Sequence, residues 1–143
     1  MRYIVATDGS HASLKAAGFF VQHLCPGADD EIFVIYVFPL PSDPECYEGV
    51  VRLPAEASDA RVIEVARAVL KRTIAVLAGV KSPIHDVILV GNPAKELVVF
   101  AMNLGVDLIV AGTRGRSPEQ ELYLGSVSSG LTHRAPCSVL VVR

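Results

Sequence analysis

Gly112, Gly115, Gly125 and Ser126 are the residues of this chain whose spacing most directly suggests chemistry. Two residues separate the first pair of glycines, nine separate the second pair, and a hydroxyl follows the third. With glycine at ~7% of residues, that spacing arises by chance somewhere in a chain of this size about 5% of the time, and requiring the hydroxyl lowers it to roughly 1%. The apolar run Asp107-Leu108-Ile109-Val110-Ala111 precedes the first glycine and reads as a strand buried on both faces. After the third, Ser126-Val127-Ser128-Ser129-Gly130-Leu131-Thr132-His133 reads as a helix with hydroxyls in its first turn. A glycine turn between such a strand and such a helix suits a phosphate. The missing side chains admit the anion to the main chain, while orphan amides and the positive end of the helix dipole attract it. The competing reading is a glycine-rich surface connection with Ser126 as an ordinary helix cap.

Asp8, in Asp8-Gly9-Ser10, is the second candidate, either as a metal or ribose ligand or as a helix cap. Other chemistries find little support. His11, His23, His85 and His133 are dispersed, without zinc-like spacing. Cys137 reads as a small apolar core residue, and Cys46 has no neighbour in sequence that would depress its pKa. No Gly-Lys-Ser/Thr follows a glycine loop, and no nucleophile elbow is present, so no catalytic residue is assigned.

The elements that must position these residues alternate between strand and helix. Strands are predicted over 2–7, 31–38, 84–90, 107–111 and 137–142. The first helix, over 13–24 and capped by Ser10 or Asp8, presents Ala16, Phe19, Phe20, His23 and Leu24 inward, and Pro26-Gly27 closes it. Prolines 39, 41, 44 and 54 exclude regular structure from 39–54, which reads as a lid, a binding loop or a mobile connection. A long helix from 57 carries Val62, Val65, Ala66, Val69, Thr73, Val76 and Leu77 as its apolar stripe. Asn92 caps the next helix with Pro93 at its first position, and Leu97, Phe100, Ala101 and Leu104 face inward. A final helix runs to about 134.

This order predicts an α/β chain, one domain over 1–143, with a five-stranded parallel sheet covered by helices on both faces. Ligands of such sheets bind at the carboxyl ends of the strands, where the strand order reverses, and both Asp8 and Gly112 fall at that edge. The composition agrees. Hydrophobic content of 51% and charged content of 20% describe a packed globular chain, and a net charge of −2 argues against nucleic acid or an anionic membrane as the main partner. Three scattered cysteines, no signal peptide and no apolar run near ~20 residues predict a cytoplasmic protein outside the membrane.

The sequence resembles the universal stress protein family over essentially its whole length. The match is carried by Ala6-Thr7-Asp8-Gly9-Ser10, by Gly91-Asn92-Pro93-Ala94 and by 107–115. It continues through Gly125-Ser126-Val127-Ser128 and 135–142. The family's ATP-binding pattern is glycine, two residues, glycine, nine residues, glycine, then Ser or Thr, and Gly112, Gly115, Gly125 and Ser126 satisfy it in full. The resemblance implies a Rossmann-like sandwich of the adenine nucleotide alpha hydrolase type, holding ATP across the carboxyl edge of the sheet. Asp8 would lie beside ribose and phosphates and share a Mg²⁺ ion with them. Ala6 and the backbone around Val37 would flank the adenine, with Thr7 also among the nucleotide-contacting residues. Gly112 and Gly115 would pass close to ribose and α-phosphate, and Arg114 and Arg116 would add positive charge at the rim. The Gly125, Ser126 and Val127 backbone, with the Ser126 hydroxyl, would cradle the outer phosphates. Glu119 and Glu121 depart from the basic residues many relatives carry there.

The resemblance further implies a homodimer paired through the C-terminal strand and a role in stress response. The functions weighed are an ATP-binding regulatory protein, a slow Mg-dependent ATPase or adenylate-transferring enzyme, and a nucleotide-free interaction module.

Overall fold

The computed structural model describes residues 1–39, 55–113 and 124–143, the side chains at 55–59, 61 and 62 excepted. Nine elements alternate along the described residues: β1 (Arg2–Ala6), α1 (His11–Leu24), β2 (Glu31–Pro39), α2 (Ala55–Val76), β3 (Ile84–Gly91), α3 (Pro93–Leu104), β4 (Leu108–Gly112), α4 (Ser126–Arg134) and β5 (Ser138–Val142). The strands form one parallel sheet in the order β3-β2-β1-β4-β5. The expected α/β architecture is therefore present, with strand limits shifted by one or two residues. The expected lid or loop over 39–54 lies, beyond Pro39, outside the described residues.

Unbroken apolar runs such as Ile32-Phe33-Val34-Ile35-Tyr36-Val37 form strands here because both faces of the sheet are covered, so the period-two alternation of a half-wet sheet is lost. Tyr3, Val5, Val34, Tyr36 and Val110 pack with Ala16, Ala17 and Phe20 of α1, with Ala66, Val69 and Leu70 of α2 and with Leu77 just beyond it. Ile4, Ala6, Ile35, Val37, Ile109 and Ala111 pack on the opposite face with Leu97 and Ala101 of α3 and Leu131 of α4. Phe20 meets the Tyr3 ring edge-on at 5.1 Å, and burying a side chain of that size contributes about 1.5–3 kcal/mol. Among the described residues no helix is long and apolar enough to cross a membrane.

Helix ends follow their sequence signals closely. The Asn92 side chain accepts from Lys95 N–H at 3.1 Å with Pro93 in the first turn, and Gly105 closes α3 at φ 60°. Ser10, rather than Asp8, caps α1, and that helix ends on Cys25 in the left-handed conformation, ahead of Pro26-Gly27.

The inward faces of α1 and α2 differ from the expected ones. In α1 the buried positions are Ser13, Ala16, Ala17 and Phe20, while His23 and Leu24 are exposed and Phe19 lies half-buried, stacked on the His23 ring. In the last turn Val21 rather than Leu24 packs against the first cluster. In α2, Val65 and Val76 are exposed, and Leu70 takes the inward place between Val69 and Thr73. Val62 lies outside the described side chains. Cys137 is only half-buried beside the second cluster, and that partial burial, with the Asp107 carboxylate nearby, pushes its thiol pKa up.

Gly112 ends β4 against the first turn of α1. A Cβ built there would lie 2.6 Å from the Ala12 carbonyl carbon and 2.9 Å from the Ser13 nitrogen, both main-chain atoms that cannot rotate aside. Its φ is not positive, so the demand for glycine is one of packing. Gly112→Ala is therefore expected to destabilise the fold by about 3 kcal/mol in chemical denaturation. Gly105→Ala has open space but positive φ, and should cost about 1 kcal/mol. Equal losses at the two positions would refute the packing account.

Candidate functional site

The strand order reverses between β1 and β4, which pair in register at Tyr3 with Leu108, Ile4 with Ile109 and Val5 with Val110. Neighbouring strands lie about 4.8 Å apart, so the turn at Asp8 and the turn at Thr113 leave the sheet side by side. α1 then covers one face and α4 the other. A crevice of this kind is where open α/β sheets hold ligands.

Asp8 is half-buried and held in a closed turn. Its Oδ1 accepts from the Ser10 N–H at 2.9 Å, and Gly9, at φ 75°, follows it. Beneath the turn lies a group of buried hydroxyls. Thr7 Oγ1 accepts the Gly9 N–H at 3.1 Å and lies 3.2 Å from Ser13 Oγ and 2.8 Å from Thr73 Oγ1. A hydroxyl buried without a partner costs about 1–3 kcal/mol, and each of these three has one.

The α4 side is built differently. Gly125, at φ −63° and ψ 164°, begins the helix without a side-chain cap, and no acid stands in the first turn. The first intrahelical bond runs from the Ser129 N–H to Gly125 O. The amides of Ser126, Val127 and Ser128 therefore point out of the helix with no capping side chain among the described residues. α1 and α3 both have such a cap. The helix dipole directs partial positive charge at the same place.

Two hydrogen bonds fix where that start sits. Thr113 O accepts from the Gly125 N–H at 2.7 Å and from Ser128 Oγ at 3.0 Å, and Ser128 Oγ also reaches Gly125 O at 3.0 Å. On its other side the Thr113 N–H donates to Val142 O at 3.0 Å, tying the turn to β5.

Of the expected site residues, Ala6 and Val37 are buried together on the α3–α4 face, and Asp8, Gly112, Gly125, Ser126 and Val127 lie at the carboxyl edge. Ser126 is exposed and Val127 half-buried against the second cluster. The Thr7 side chain is turned to the opposite face, into the hydroxyl group, and its N–H donates to Ile35 O at 3.0 Å, so neither is offered at the edge. Arg114, Gly115, Arg116, Glu119 and Glu121 lie outside the described residues, as does Cys46.

Sequence reasoning missed Ser128 and read Thr73 as apolar. Ser128, 2% exposed, was legible only as one more hydroxyl in the first helical turn. Among the described residues no three His, Cys, Asp or Glu side chains gather to hold a metal. Asp8 alone suits an ion of the Mg²⁺ type, which takes one or two carboxylates and fills its remaining positions with phosphate oxygens and water. At the other, amino end of the sheet an open cleft is lined by Met1, Arg2, Asp29, Glu31, Gly105 and Asp107. Arg2 there is engaged by Glu31, Asp107 and Leu104 O.

The sequence matches the Universal stress protein family over residues 1–143. A universal stress protein of Methanocaldococcus jannaschii is 36% identical over 148 residues, covering 99% of this chain and 81% of that protein. A second protein of that organism has a solved structure that superposes with a TM-score of 0.80 at 25% identity, covering 99% of this chain and 94% of that one. A universal stress protein solved in complex with cAMP superposes at 0.65 with 27% identity, covering 100% and 97%. An Arabidopsis thaliana family protein with AMP bound and an Archaeoglobus fulgidus one in complex with dAMP share the fold at 14% and 20% identity, with TM-scores of 0.68 and 0.69.

Ser128→Ala is expected to cost about 1 kcal/mol in thermal or chemical unfolding. Thr113 O keeps the Gly125 amide and Gly125 O keeps the Ser129 amide, so no buried acceptor is orphaned. A loss of several kcal/mol would show that the hydroxyl carries more than these two bonds.

Proposed function

The chain belongs to the universal stress protein family, and on that premise we propose that it is an ATP-binding regulatory protein whose nucleotide lies across the carboxyl edge of the sheet. The observation that carries this reading is the uncapped start of α4, whose three outward amides stand beside the exit of β1. Solved relatives were captured with cAMP, AMP and dAMP, ligands that share adenine, a sugar and a single phosphate.

In this reading the Ser126, Val127 and Ser128 amides and the Ser126 hydroxyl hold the outer phosphates. Asp8 faces the ribose and, with phosphate oxygens, a Mg²⁺ ion. Ala6 and the Val37 backbone border the adenine. Gly112 brings β4 against α1, which sets the width of the crevice. Gly115, Arg114 and Arg116 complete the phosphate side as the family pattern implies. The bound ion would neutralise phosphate charge, and the chain's own groups orient and hold the nucleotide. Occupancy would then change which partners the protein engages.

β5 stands at the edge of the sheet with Val139, Leu140 and Val141 half-exposed. Pairing it with β5 of a second copy would cover the outward amides of that edge, which supports a homodimer as part of the proposal.

Mass spectrometry of nucleotide released from the purified protein should identify an adenine nucleotide, and calorimetry with Mg·ATP should show saturable binding. The Gly125 backbone is one any residue adopts, so Gly125→Val should keep its melting temperature yet lose at least about tenfold in ATP affinity, equivalent to about 1.4 kcal/mol. Unchanged affinity would remove the α4 start from the site. Light scattering at micromolar concentration should return twice the chain mass, and a monomer alone would exclude the β5 pairing.

A further inference from the structure

We propose that Thr73 of α2 is a positioning residue for the Asp8 turn, and through it for the nucleotide site; the second step rests on the function proposed above. Thr73 is fully buried, the other inward residues of α2 are Ala66, Val69 and Leu70, and buried Leu77 follows the helix. A valine would fill the same space there without bringing a hydroxyl out of water. Packing alone therefore does not account for threonine.

The hydrogen bonds give the hydroxyl its task. Thr73 Oγ1 donates to Val69 O at 3.0 Å, one turn back in its own helix, which commits its single hydrogen. What it offers Thr7, 66 positions away and 2.8 Å distant, is a lone pair. The Thr7 hydroxyl hydrogen accordingly points at α2. Its own lone pairs are thereby aimed the other way, and one of them receives the Gly9 N–H at 3.1 Å, while Ser13 Oγ, 3.2 Å off, spends its hydrogen on Ser10 O at 3.0 Å. The orientation of one hydroxyl in α2 thus fixes the residue before Asp8 and the amide after it.

A second contact from the same turn of α2 reinforces the first. A Cβ built on Gly9 would lie 3.0 Å from Val69 Cγ2, so the Val69 side chain closes over the far side of the turn. Gly9 holds φ 75° in that space. Val69 and Thr73, one helical turn apart, grip Gly9 and Thr7, the residues on either side of the acid. The acid itself makes no contact with α2 that this scheme requires. Its carboxylate direction is set by where Thr7 and Gly9 are held.

Two substitutions separate positioning from bulk stability. Thr73→Val keeps the shape and removes the lone pair, while Thr73→Ser keeps the lone pair and removes a methyl from an apolar cluster. With Mg·ATP as the calorimetric probe, Thr73→Val should bind about tenfold more weakly with its melting temperature nearly unchanged. Thr73→Ser should bind as the parent does yet melt earlier. Amide exchange at Gly9 should accelerate in Thr73→Val and stay slow in Thr73→Ser, and that readout needs no nucleotide. Loss of affinity in both variants in proportion to lost stability would overturn the proposal, as would unchanged Gly9 exchange in Thr73→Val. Failure of the parent protein itself to bind any adenine nucleotide would instead overturn the functional reading, with Gly9 exchange still deciding whether Thr73 positions the turn.

Discussion

The pairing of β1 with β4 is the constraint on which the rest depends. In an all-parallel sheet each strand must be followed by a crossover of the same hand, so consecutive strands on one side of the starting strand send their helices to one face. Here the chain lays β2 and β3 on one side of β1, then returns to lay β4 and β5 on the other. The helices that follow β1 and β4 are driven to opposite faces by that return. The ground between the two strand exits is left without a helix over it. Everything at the carboxyl edge is arranged around that uncovered ground.

The two flanks of the crevice are prepared by opposite means. On the β1 flank every buried hydroxyl is spent on another part of the chain, and the Asp8 turn is stiffened from beneath by two helices. On the β4 flank the stiffening runs through the Thr113 peptide unit, bonded to β5 on one side and to the start of α4 on the other, and the helix amides beyond it are left facing outward. One side thus presents a fixed carboxylate and the other a fixed set of donors. This pairing suits a ligand that is anionic at one end and bears hydroxyls or a cation in its middle. Ala6 and Val37 lie buried beside these flanks, in the cluster under α3 and α4.

Much of this was legible in the sequence, for reasons that differ by residue. Runs such as 31–38 can only be strands in a covered sheet, and Asn92-Pro93 states a helix start outright. The faces of α1 and α2 were harder, because valine on an outer face reads like valine on an inner one: Val65 and Val76 have the spacing of a buried stripe and lie outside it. Gly112 was read for what an anion would need, whereas its missing side chain is claimed by the main chain of Ala12. Thr73 fitted an apolar stripe by position, and its hydroxyl has meaning only through a partner that the fold brings from the far end of the chain. Sequence periodicity reports which residues are inside. It does not report which inner atoms must find one another.

The Thr113 peptide unit has one further consequence. Its N–H is held by Val142 at the border of the sheet and its C=O by the opening of α4. A peptide plane is rigid, so these two attachments cannot be adjusted separately. The position of β5 and the start of α4 are thus set together by one rigid plane. One edge of the sheet and the outward amides of α4 are therefore linked by one flat amide, much as two levers share a single axle.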